Sequence, residues 1–320
     1  MSIVYPVKIS YVAKSRIWGG DMLEKRYFKK KDGGNIGETW ELSVRGDEMS
    51  RVDTGDDAGL TLGEYIEKHP GVLGSRFEGG RFPLLIKFID AHDRLSVQVH
   101  PDDVYAGRVE NDSGKTEMWY IIDAKPGAKI VYGFAEGIDR AAFSEAVKNG
   151  KTDDVLGWRT VRPGETYFIP SGLVHAIGDG ILIAEIQQNS DLTYRVYDYN
   201  RLDADGRRRE LHIEKALDVS RPFTEKDIYE MRFEARNMSD DENTLAHCRF
   251  FRVSKYDISG ERRFMPSGDT FFSVLCISGG GKLICGTESL EIKAGDSFFV
   301  PAGTKEWRIL GKTEVIVSSV

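Results

Sequence analysis

Apolar and polar residues alternate along the stretch that follows Arg94. Three aliphatic side chains occupy every second position and three polar side chains stand between them: Leu95, Val97 and Val99 on one face, Ser96, Gln98 and His100 on the other. A period of two predicts a β-strand with two different faces. Pro101 ends the strand, because proline lacks the amide hydrogen that the ladder needs. Gln98 and His100 emerge side by side, and we interpret the polar face as a candidate metal-binding face.

Short apolar runs of the same kind recur along the chain. The 34 glycines are spread between these runs, a pattern typical of many strands joined by tight turns. Further strands are predicted over 5–10, 39–44, 83–89, 117–122, 129–132, 166–169, 181–187 and 193–197. Runs 117–122 and 129–132 are expected to form a hairpin around 125–127. Capping residues and helical spacing predict helices over 61–68, 102–109, 139–148 and 211–219.

An eleven-residue pattern occurs twice. Residues 162–172 and 293–303 share the order basic, any residue, Gly, acid, Ser or Thr, aromatic, Phe, aliphatic, Pro, small, Gly. This turn–strand–turn resembles the second conserved motif of cupins, which are small jelly-roll barrels. A polar stretch, 239–243, separates the two occurrences. We therefore expect a mainly β chain of two cupin-type jelly-roll β-barrel modules, residues 1–235 and 236–320, with a small helical insertion in the first.

The two occurrences differ five residues after the proline of the motif. His175 stands there in the first, and Glu306 in the second. In cupins the corresponding histidine is a metal ligand that faces into the barrel, so the resemblance implies a metal site in the first module and its loss in the second. The alternative is that His175 is a half-buried structural histidine.

A metal site needs further donors. Glu117 opens an otherwise apolar strand. This indicates either that Glu117 lies at a solvated strand entrance or that its carboxylate has a functional role, such as binding a metal. Gln98, His100, Glu117 and His175 would together form a nitrogen and oxygen donor set without sulfur. Such a set suits Zn²⁺ and also Fe²⁺, Mn²⁺ or Co²⁺, and its open positions indicate catalysis rather than a structural role.

Composition excludes several classes of function. The net charge is −7, and the chain has neither a basic stripe nor a zinc-finger pattern that would indicate nucleic-acid binding. Three cysteines without a CxxC pair predict neither a disulfide framework nor a thiolate zinc site. The N-terminus lacks a signal-peptide pattern and no apolar run approaches the ~20 residues of a membrane span, so we expect a soluble cytoplasmic protein. The single basic run, 207–209, is expected to lie in a solvated loop.

Several motifs resemble those of type I mannose-6-phosphate isomerases. They are Leu-Ser-Val-Gln-Val-His-Pro-Asp at 95–102, Gly-Lys-Thr-Glu-Met at 114–118, Gly-Leu-Val-His-Ala at 172–176, and Gln-Gln-Asn-Ser-Asp-Leu-Thr-Tyr-Arg at 187–195. The segments 17–20, 37–41, 197–199 and 209–213 extend the resemblance, the last two toward the shorter bacterial branch. It covers roughly residues 1–220. This family interconverts mannose 6-phosphate and fructose 6-phosphate on a zinc-bearing cupin scaffold.

The resemblance assigns roles to residues. It implies that Gln98, His100, Glu117 and His175 bind one zinc ion per chain, other divalent metals remaining possible, that Arg195 is the active-site arginine, and that Ser96 and Lys115 bind the sugar phosphate. Two departures are visible. The long helical domain of the eukaryotic branch is absent, and the usual Lys-Pro-Glu is Lys-Thr-Glu at 115–117.

Isomerisation moves a proton between C1 and C2 through an enediol, which requires a base. Glu185 and Asp191 are the candidate bases, although Glu185 is equally explained by an ion pair with Arg195. Lys87 either reaches the substrate or pairs with a buried carboxylate. Arg195 stabilises an enediolate, binds phosphate, or forms an ion pair with Asp191 or Asp198.

Two alternative functions remain open at the level of sequence. The first is a non-catalytic cupin that binds a metal or a sugar, and the second is an iron-dependent cupin oxygenase. Lys115 and Arg195 indicate an anionic substrate, which favours the isomerase over both alternatives. Lys115 is also explained as a plain turn lysine. The expected partner is a small sugar phosphate, with neither nucleic acid nor membrane, and the oligomeric state is left open.

Overall fold

The computed structural model describes residues 5–31, 35–77, 81–202, 205–237, 240–304 and 306–320. The strands within these ranges are β1 Val7–Ser10, β2 Val12–Gly20, β3 Ile36–Leu42, β4 Arg51–Val52, β5 Leu84–Ala91, β6 Val97–Val99, β7 Glu117–Ala124, β8 Lys129–Phe134, β9 Leu156–Thr160, β10 Thr166–Ile169, β11 His175–Ile177, β12 Ile181–Gln188, β13 Tyr194–Tyr197, β14 Thr244–His247, β15 Arg252–Phe264, β16 Phe272–Cys285, β17 Glu288–Lys293, β18 Ser297–Val300 and β19 Trp307–Ser319. The helices are α1 Met22–Tyr27, α2 Leu62–Lys68, α3 Asp103–Val109, α4 Arg140–Lys148, α5 Ile213–Val219 and α6 Glu225–Arg232, with 3₁₀ turns at Ser75–Phe77 and Thr152–Val155.

The strands form three sheets, so the prediction of a mainly β chain is confirmed. The six-stranded sheet has the order β10-β7-β12-β5-β2-β3, and the five-stranded sheet has the order β13-β6-β11-β8-β9. The eight-stranded sheet has the order β14-β15-β19-β16-β18-β1-β4, with β17 paired to β16. No pairing among the described strands closes a sheet into a barrel. None of the described helices has the length and apolar character that crossing a membrane requires.

The five-stranded sheet lies between helices and the six-stranded sheet. Val97 and Val99 of β6 pack with Phe143 of α4 and Ala216 of α5. On the opposite side, apolar residues of the two sheets share one large cluster that includes Ile130, Ile177, Trp119 and Ile183. Leu95, which precedes β6, belongs to this cluster as well, so the prediction that it shares a face with Val97 and Val99 is wrong. The intervening polar side chains of β6 therefore face the six-stranded sheet rather than bulk water. The predicted polar face thus becomes an internal surface.

The hairpin predicted around 125–127 is wrong. The turn itself forms, since the amide of Ala128 donates to the carbonyl of Lys125 at 3.0 Å. However, β7 pairs with β10 and β12, whereas β8 pairs with β9 and β11. Each strand has its backbone groups taken up by other neighbours, because a buried strand pairs on both sides. The turn therefore carries the chain from one sheet to the other.

The predicted helices form, and their caps explain why. Thr61 and Glu64 make a reciprocal capping box at the start of α2, and the Asp139 side chain accepts from the amide of Ala142 at 2.8 Å at the start of α4. Such caps satisfy backbone donors that the first helical turn leaves free. Phe143 and Val147 bury the apolar stripe of α4. Two helices, α1 and α6, were not predicted.

The first strand of the chain pairs with the C-terminal sheet. Val7 lies opposite Phe299 and Ile9 opposite Ser297 in the ladder of β1 and β18. Residues from the start of the chain therefore complete a sheet built mainly from residues after 240. The polar stretch that separates the two predicted modules includes Ser239, which lies outside the described residues, and the boundary at 235 stays a prediction.

Candidate metal centre and adjoining cavity

Three buried side chains from two sheets meet at one point. His100 follows β6 and His175 opens β11 in the five-stranded sheet, while Glu117 opens β7 in the six-stranded sheet. The Nε2 atoms of His100 and His175 each lie 3.5 Å from a carboxylate oxygen of Glu117. The potential ligand atoms of this triad all lie within 4.8 Å of one another. In the part of the chain that the structure describes, it is the single group of three such side chains able to hold a metal ion.

Backbone carbonyls set the orientation of both imidazoles. Nδ1 of His100 lies 2.7 Å from the carbonyl oxygen of Leu192, and Nδ1 of His175 lies 2.8 Å from that of Leu173. A carbonyl only accepts, so each Nδ1 must carry the hydrogen and donate it. Each Nε2 is then left with its lone pair directed toward Glu117. This is the tautomer that a histidine needs to bind a metal through Nε2.

Three of the atoms that face one another in the triad have no partner. Nε2 of His100, Nε2 of His175 and Oε1 of Glu117 are buried without a hydrogen bond, and Oε2 of Glu117 faces the ammonium of Lys115 at 3.2 Å. Leaving such groups unpaired in a protein interior is costly. A divalent cation between them would satisfy the three unpaired atoms. The donor set therefore fits the metal that the sequence predicted.

The protonation states agree with this interpretation. Burial lowers the pKa of His175 to about 4 and that of His100 well below its ordinary value, so both imidazoles are neutral at pH 7. Burial, reinforced by the charge of Glu185, raises the pKa of Glu117 to about 7. A carboxylate that resists ionisation without a cation gains most from having one beside it.

Gln98 connects the triad to the adjoining cavity. It lies opposite His175 on one side of β6 and opposite Arg195 on the other side. Its side chain is half-buried and lines a cavity of about 550 Å³. Of the four predicted ligands, the structure brings three into one buried group and places the fourth at the border of that group and the cavity.

A buried ion pair forms another wall of the cavity. The ammonium of Lys87 lies 3.0 Å from a carboxylate oxygen of Glu185 and 3.8 Å from Glu38. Nε1 of Trp119 donates to the other oxygen of Glu185 at 3.0 Å. Burial alone would raise the pKa of Glu185, but the ammonium groups of Lys87 and Lys115 lower it to about 2. Lys87 and Lys115, and not Arg195, are therefore the cations that hold Glu185 ionised.

Arg195 lines the cavity without the ion pairs considered from the sequence. Its Nε donates to the hydroxyl of Ser96 at 3.3 Å, and its Nη1 donates to the carbonyl of Glu210 at 2.8 Å. Asp191 pairs instead with Arg45 at 2.7 Å. No carboxylate of the described ranges lies within ion-pair distance of Arg195. The charge of this guanidinium is thus available to an anion in the cavity.

Two further predicted residues also line this cavity. Lys115 is buried, and its ammonium lies 3.2 Å from Glu117, so it is not a plain turn lysine. Asp191 is half-exposed. Both candidate bases and all three candidate substrate-binding residues therefore lie around one space, next to the triad.

Several residues of the cavity wall were missed or misjudged from the sequence. Arg209 lines the cavity, although its basic run was expected in a solvated loop. Trp18, Glu38 and Trp40 also line it. These three lie in the segments 17–20 and 37–41, whose resemblance to the family could have identified them as residues of the site. Arg16, which pairs with Glu38 across the sheet, lies outside the segments that resemble the family.

The second occurrence of the repeated motif carries no comparable group. Glu306 is exposed, and its carboxylate lies 3.5 Å from Arg263. The neighbouring residue Trp307 is buried and stacks on Phe264 with ring centroids 3.9 Å apart. Apolar side chains fill the interior of this region. The expected loss of the histidine ligand therefore coincides with an apolar interior.

Comparison with known proteins gives consistent results. The family described as "Phosphomannose isomerase type I, catalytic domain" matches residues 7–127, and "Mannose-6-phosphate isomerase, cupin domain" matches residues 241–320. Mannose-6-phosphate isomerase ManA of Bacillus subtilis (strain 168) is 39% identical, with 98% of each chain covered. A mannose-6-phosphate isomerase of Streptococcus mutans is 36% identical, again with 98% of each chain covered.

Solved structures show the same fold. The crystal structure of the mannose 6-phosphate isomerase from Bacillus subtilis is similar with a TM-score of 0.88 and 35% identity, covering 99% of this chain and 100% of that one. A zinc-bound mannose 6-phosphate isomerase is similar with a TM-score of 0.76 and 15% identity, covering 98% of this chain and 99% of that one. At that lower identity the similarity establishes the cupin-type fold alone.

Proposed function

This chain belongs to the type I phosphomannose isomerase family, and we propose on that basis that it is a metal-dependent aldose–ketose isomerase. Its reaction interconverts mannose 6-phosphate and fructose 6-phosphate through an enediol intermediate. The observation that carries the proposal is the buried triad of His100, Glu117 and His175, whose potential ligand atoms face one another beside a charged cavity. A metal and an anionic sugar are the two ligands that these features fit.

We propose that Gln98, His100, Glu117 and His175 hold one Zn²⁺ per chain. The lone pairs of the two imidazoles and the carboxylate between them support this set, and the same donors fit other divalent metals. A bound ion would act as a Lewis acid toward the substrate oxygens at C1 and C2. Lys115, 3.2 Å from Glu117, adds a fixed positive charge where enediolate charge develops.

Proton transfer is assigned to Glu185 or Asp191. Glu185 lies on the cavity wall and is ionised at neutral pH, so it can accept a proton, although the lysines that lower its pKa to about 2 also weaken it as a base. Asp191 is the more exposed carboxylate and can exchange protons with solvent. Replacement of each by its amide, followed by release of deuterium from C2-labelled substrate, separates the two. The variant that loses isotope exchange while keeping substrate affinity identifies the base.

Positively charged and hydroxyl groups orient the substrate. Ser96, Lys115 and Lys87 are proposed to bind it, and Arg195 to stabilise the enediolate or to bind the phosphate. The guanidinium of Arg195 donates to Ser96 and to the carbonyl of Glu210 and forms no ion pair with a carboxylate of the described residues, which supports an anionic ligand in this cavity. The two lysines already face carboxylates, so we assign them to substrate hydroxyl and carbonyl oxygens as well as to those anions.

The proposal extends to domain organisation and location. We propose a catalytic cupin-type jelly-roll module at 1–235 and a second cupin-like module at 236–320 without a metal site, the latter shielding the first. The repeated turn–strand–turn motif and the apolar interior around Trp307 support this division. We further propose that the enzyme acts in the cytoplasm, because charged sugar phosphates do not cross membranes unaided.

An assay with purified protein tests the proposed function. Metal-replete protein is expected to convert mannose 6-phosphate to fructose 6-phosphate, to lose activity after treatment with a chelator, and to regain it when zinc is restored. Absence of turnover in metal-replete protein would reject the isomerase function. Binding of sugar phosphate without turnover would then favour a binding cupin, and oxygen consumption with iron would favour an oxygenase.

A further inference from the structure

The segment after β13 is held against the cavity by one buried carboxylate. Asp198, which is 4% exposed, accepts from Nη2 of Arg201 at 2.6 Å and from Nε of Arg209 at 2.7 Å. A backbone bridge pairs Leu202 with Arg208. Asp198 therefore links Arg201 and Arg209 to the end of the strand that carries Arg195.

The contact with Asp198 gives Arg209 an environment unlike that of its neighbours in sequence. The residues at 207 and 208 are exposed, whereas Arg209 is half-buried and lines the cavity. Its guanidinium meets Asp198 through two nitrogens. Such a contact fixes a planar guanidinium in one orientation. Arg209 is thus presented to the cavity in a defined position rather than extended into solvent.

This end of the cavity has an excess of positive charge. Arg195 has no carboxylate within ion-pair distance among the described residues. Arg201 and Arg209 share Asp198, and Arg201 also pairs with Asp93 at 3.3 Å, so three arginines face two carboxylates. Burial, together with the charge of Arg209, lowers the pKa of Arg195, which places the two guanidinium groups close enough to repel each other. A group of charges that repel inside a cavity is stabilised by an anion placed between them.

The excess charge lies at a suitable distance from the triad. Arg195, Gln98 and His175 occupy one row across the neighbouring strands β13, β6 and β11. Adjacent strands are about 4.8 Å apart, so the backbones of Arg195 and His175 are separated by roughly 10 Å. That separation leaves room for one hexose between the metal centre and the arginines.

We propose that Arg209 is a second phosphate-binding arginine, which together with Arg195 and Ser96 binds the phosphate of the substrate, and that Asp198 positions it. This inference rests on the proposed function in naming the phosphate as that of a hexose 6-phosphate. It assigns a role to the basic run that sequence had placed in a solvated loop. The phosphate, with a charge between −1.5 and −2 at neutral pH, matches the two guanidinium groups.

The test compares Arg209→Met with Arg208→Met in zinc-replete protein. Methionine removes the charge and keeps much of the length, and Arg208 is the exposed neighbour outside the cavity. Three quantities are measured: KM and kcat for mannose 6-phosphate, and the Kd for inorganic phosphate by calorimetry. We expect Arg209→Met to raise KM and the phosphate Kd by about 10- to 100-fold, since a charge-assisted contact is lost, with a much smaller change in kcat. Arg208→Met should change each value less than about twofold.

Arg209→Lys keeps the folded state and the charge while removing the planar fork, so it is expected to lie between wild type and Arg209→Met. Unchanged phosphate affinity in Arg209→Met, or an equal loss in Arg208→Met, would overturn the proposal. The calorimetric measurement requires no turnover. If wild type bound phosphate through Arg209 but failed to isomerise mannose 6-phosphate, the proposed function would fail and the anion site would stand.

Asp198→Asn tests the positioning role in a double-mutant cycle. In the wild-type background it is expected to raise the phosphate Kd while leaving kcat within about threefold at saturating substrate. In the Arg209→Met background it should raise the phosphate Kd no further, because the group that it positions is gone. An equal loss of phosphate affinity in both backgrounds, or a fall in kcat with unchanged phosphate affinity, would contradict the positioning role.

Discussion

The two occurrences of the turn–strand–turn motif lead into regions with opposite interiors. After the first, at 162–172, the chain enters a space lined by charged side chains, with His175 fully buried against Glu117. After the second, at 293–303, it enters an apolar cluster around Trp307, and Glu306 points to solvent. The motif therefore specifies a backbone path, and the residues beyond the motif decide whether the path encloses a chemical site.

The comparison also separates stability from function. Burying apolar area stabilises a fold by about 25 cal/mol per Å², and the C-terminal region uses its interior in this way. The region around Glu117 and Glu185 instead buries charges whose desolvation opposes folding. Lys87 and the proposed metal offset that cost. A charged interior of this kind is expected where catalysis or binding requires it. Substitutions near the triad should therefore mainly reduce metal content and activity, and substitutions in the C-terminal region should mainly reduce stability.

The largest effect is expected from removing the triad carboxylate. Glu117→Gln keeps the shape of the side chain and removes the charge, so zinc content should fall from one per chain toward zero and turnover by roughly a thousandfold or more. The fold should survive, because the amide keeps the volume of the carboxyl group and an oxygen that can accept from Lys115, although the charge of that 3.2 Å contact is lost. Mass spectrometry of bound metal and a mannose 6-phosphate assay measure both quantities. Glu306→Gln, at the second occurrence of the motif, is the matched control and should change neither. Full metal content in Glu117→Gln would show that the ligand set is wrong.

The next effect is expected in the apolar interior. Trp307→Ala removes a side chain that is 1% exposed and stacked on Phe264. Comparable truncations of buried aromatic residues cost about 3–5 kcal/mol. Urea unfolding should show this loss, while the metal content per folded chain and the KM stay near those of wild type. A loss of metal in folded Trp307→Ala would mean that the two regions are not independent.

Features fixed by nearby residues were predictable from the sequence. The caps at Thr61 and Asp139 depend on contacts three residues along the chain, and both helices formed. The metal face was predictable because the alternation of β6 places Gln98 and His100 on one side. His175 was found because the repeated motif offered an internal comparison. In each case the prediction depends on residues a few positions apart, or on a sequence pattern that occurs twice in the chain.

Features that depend on competition between distant strands were not predictable. The turn at 125–127 contains the proline and glycine typical of a turn between paired strands. However, β7 pairs with β12 and β8 pairs with β11 instead of with each other. The pairing of β1 with β18 joins residues from opposite ends of the chain. The place of Arg209 follows from Asp198, eleven residues earlier, which no local pattern connects to it. Pairing and burial of this kind are decided by the whole fold.

An effect of similar size, but with a defined pH dependence, is expected for the buried ion pair. Lys87→Met leaves Glu185 buried without its cation and should cost about 3–5 kcal/mol at pH 7. The control is Lys282→Met in the C-terminal region, whose exposed pair with Glu291 should be worth about 0–1 kcal/mol. Urea unfolding in the presence of a chelator measures both variants without a contribution from bound metal.

The sign of the pH dependence follows from Glu185. Its pKa is lowered from an ordinary 4.5 to about 2 in the folded wild type. The ion pair therefore stabilises the fold fully above pH 4.5, and that stabilisation is lost as the pH falls toward 2. The difference in unfolding free energy between wild type and Lys87→Met should shrink below pH 4.5. A difference that stays constant down to pH 3 would mean that Lys87 acts through packing rather than through charge.

The smallest effect is expected from restoring the missing histidine. Glu306→His recreates the residue order of the first region, but the site exposes that side chain, and the neighbouring interior contains Trp307 and other apolar residues in place of a carboxylate. One histidine without further donors binds zinc weakly. Zinc content after dialysis should therefore remain at one ion per chain, and anomalous scattering at the zinc edge should show no second peak near this residue. The reciprocal change, His175→Glu, should abolish the first peak. A second, tightly bound zinc in Glu306→His would show that the C-terminal interior retains donors, and the division between a chemical and an apolar region would not hold.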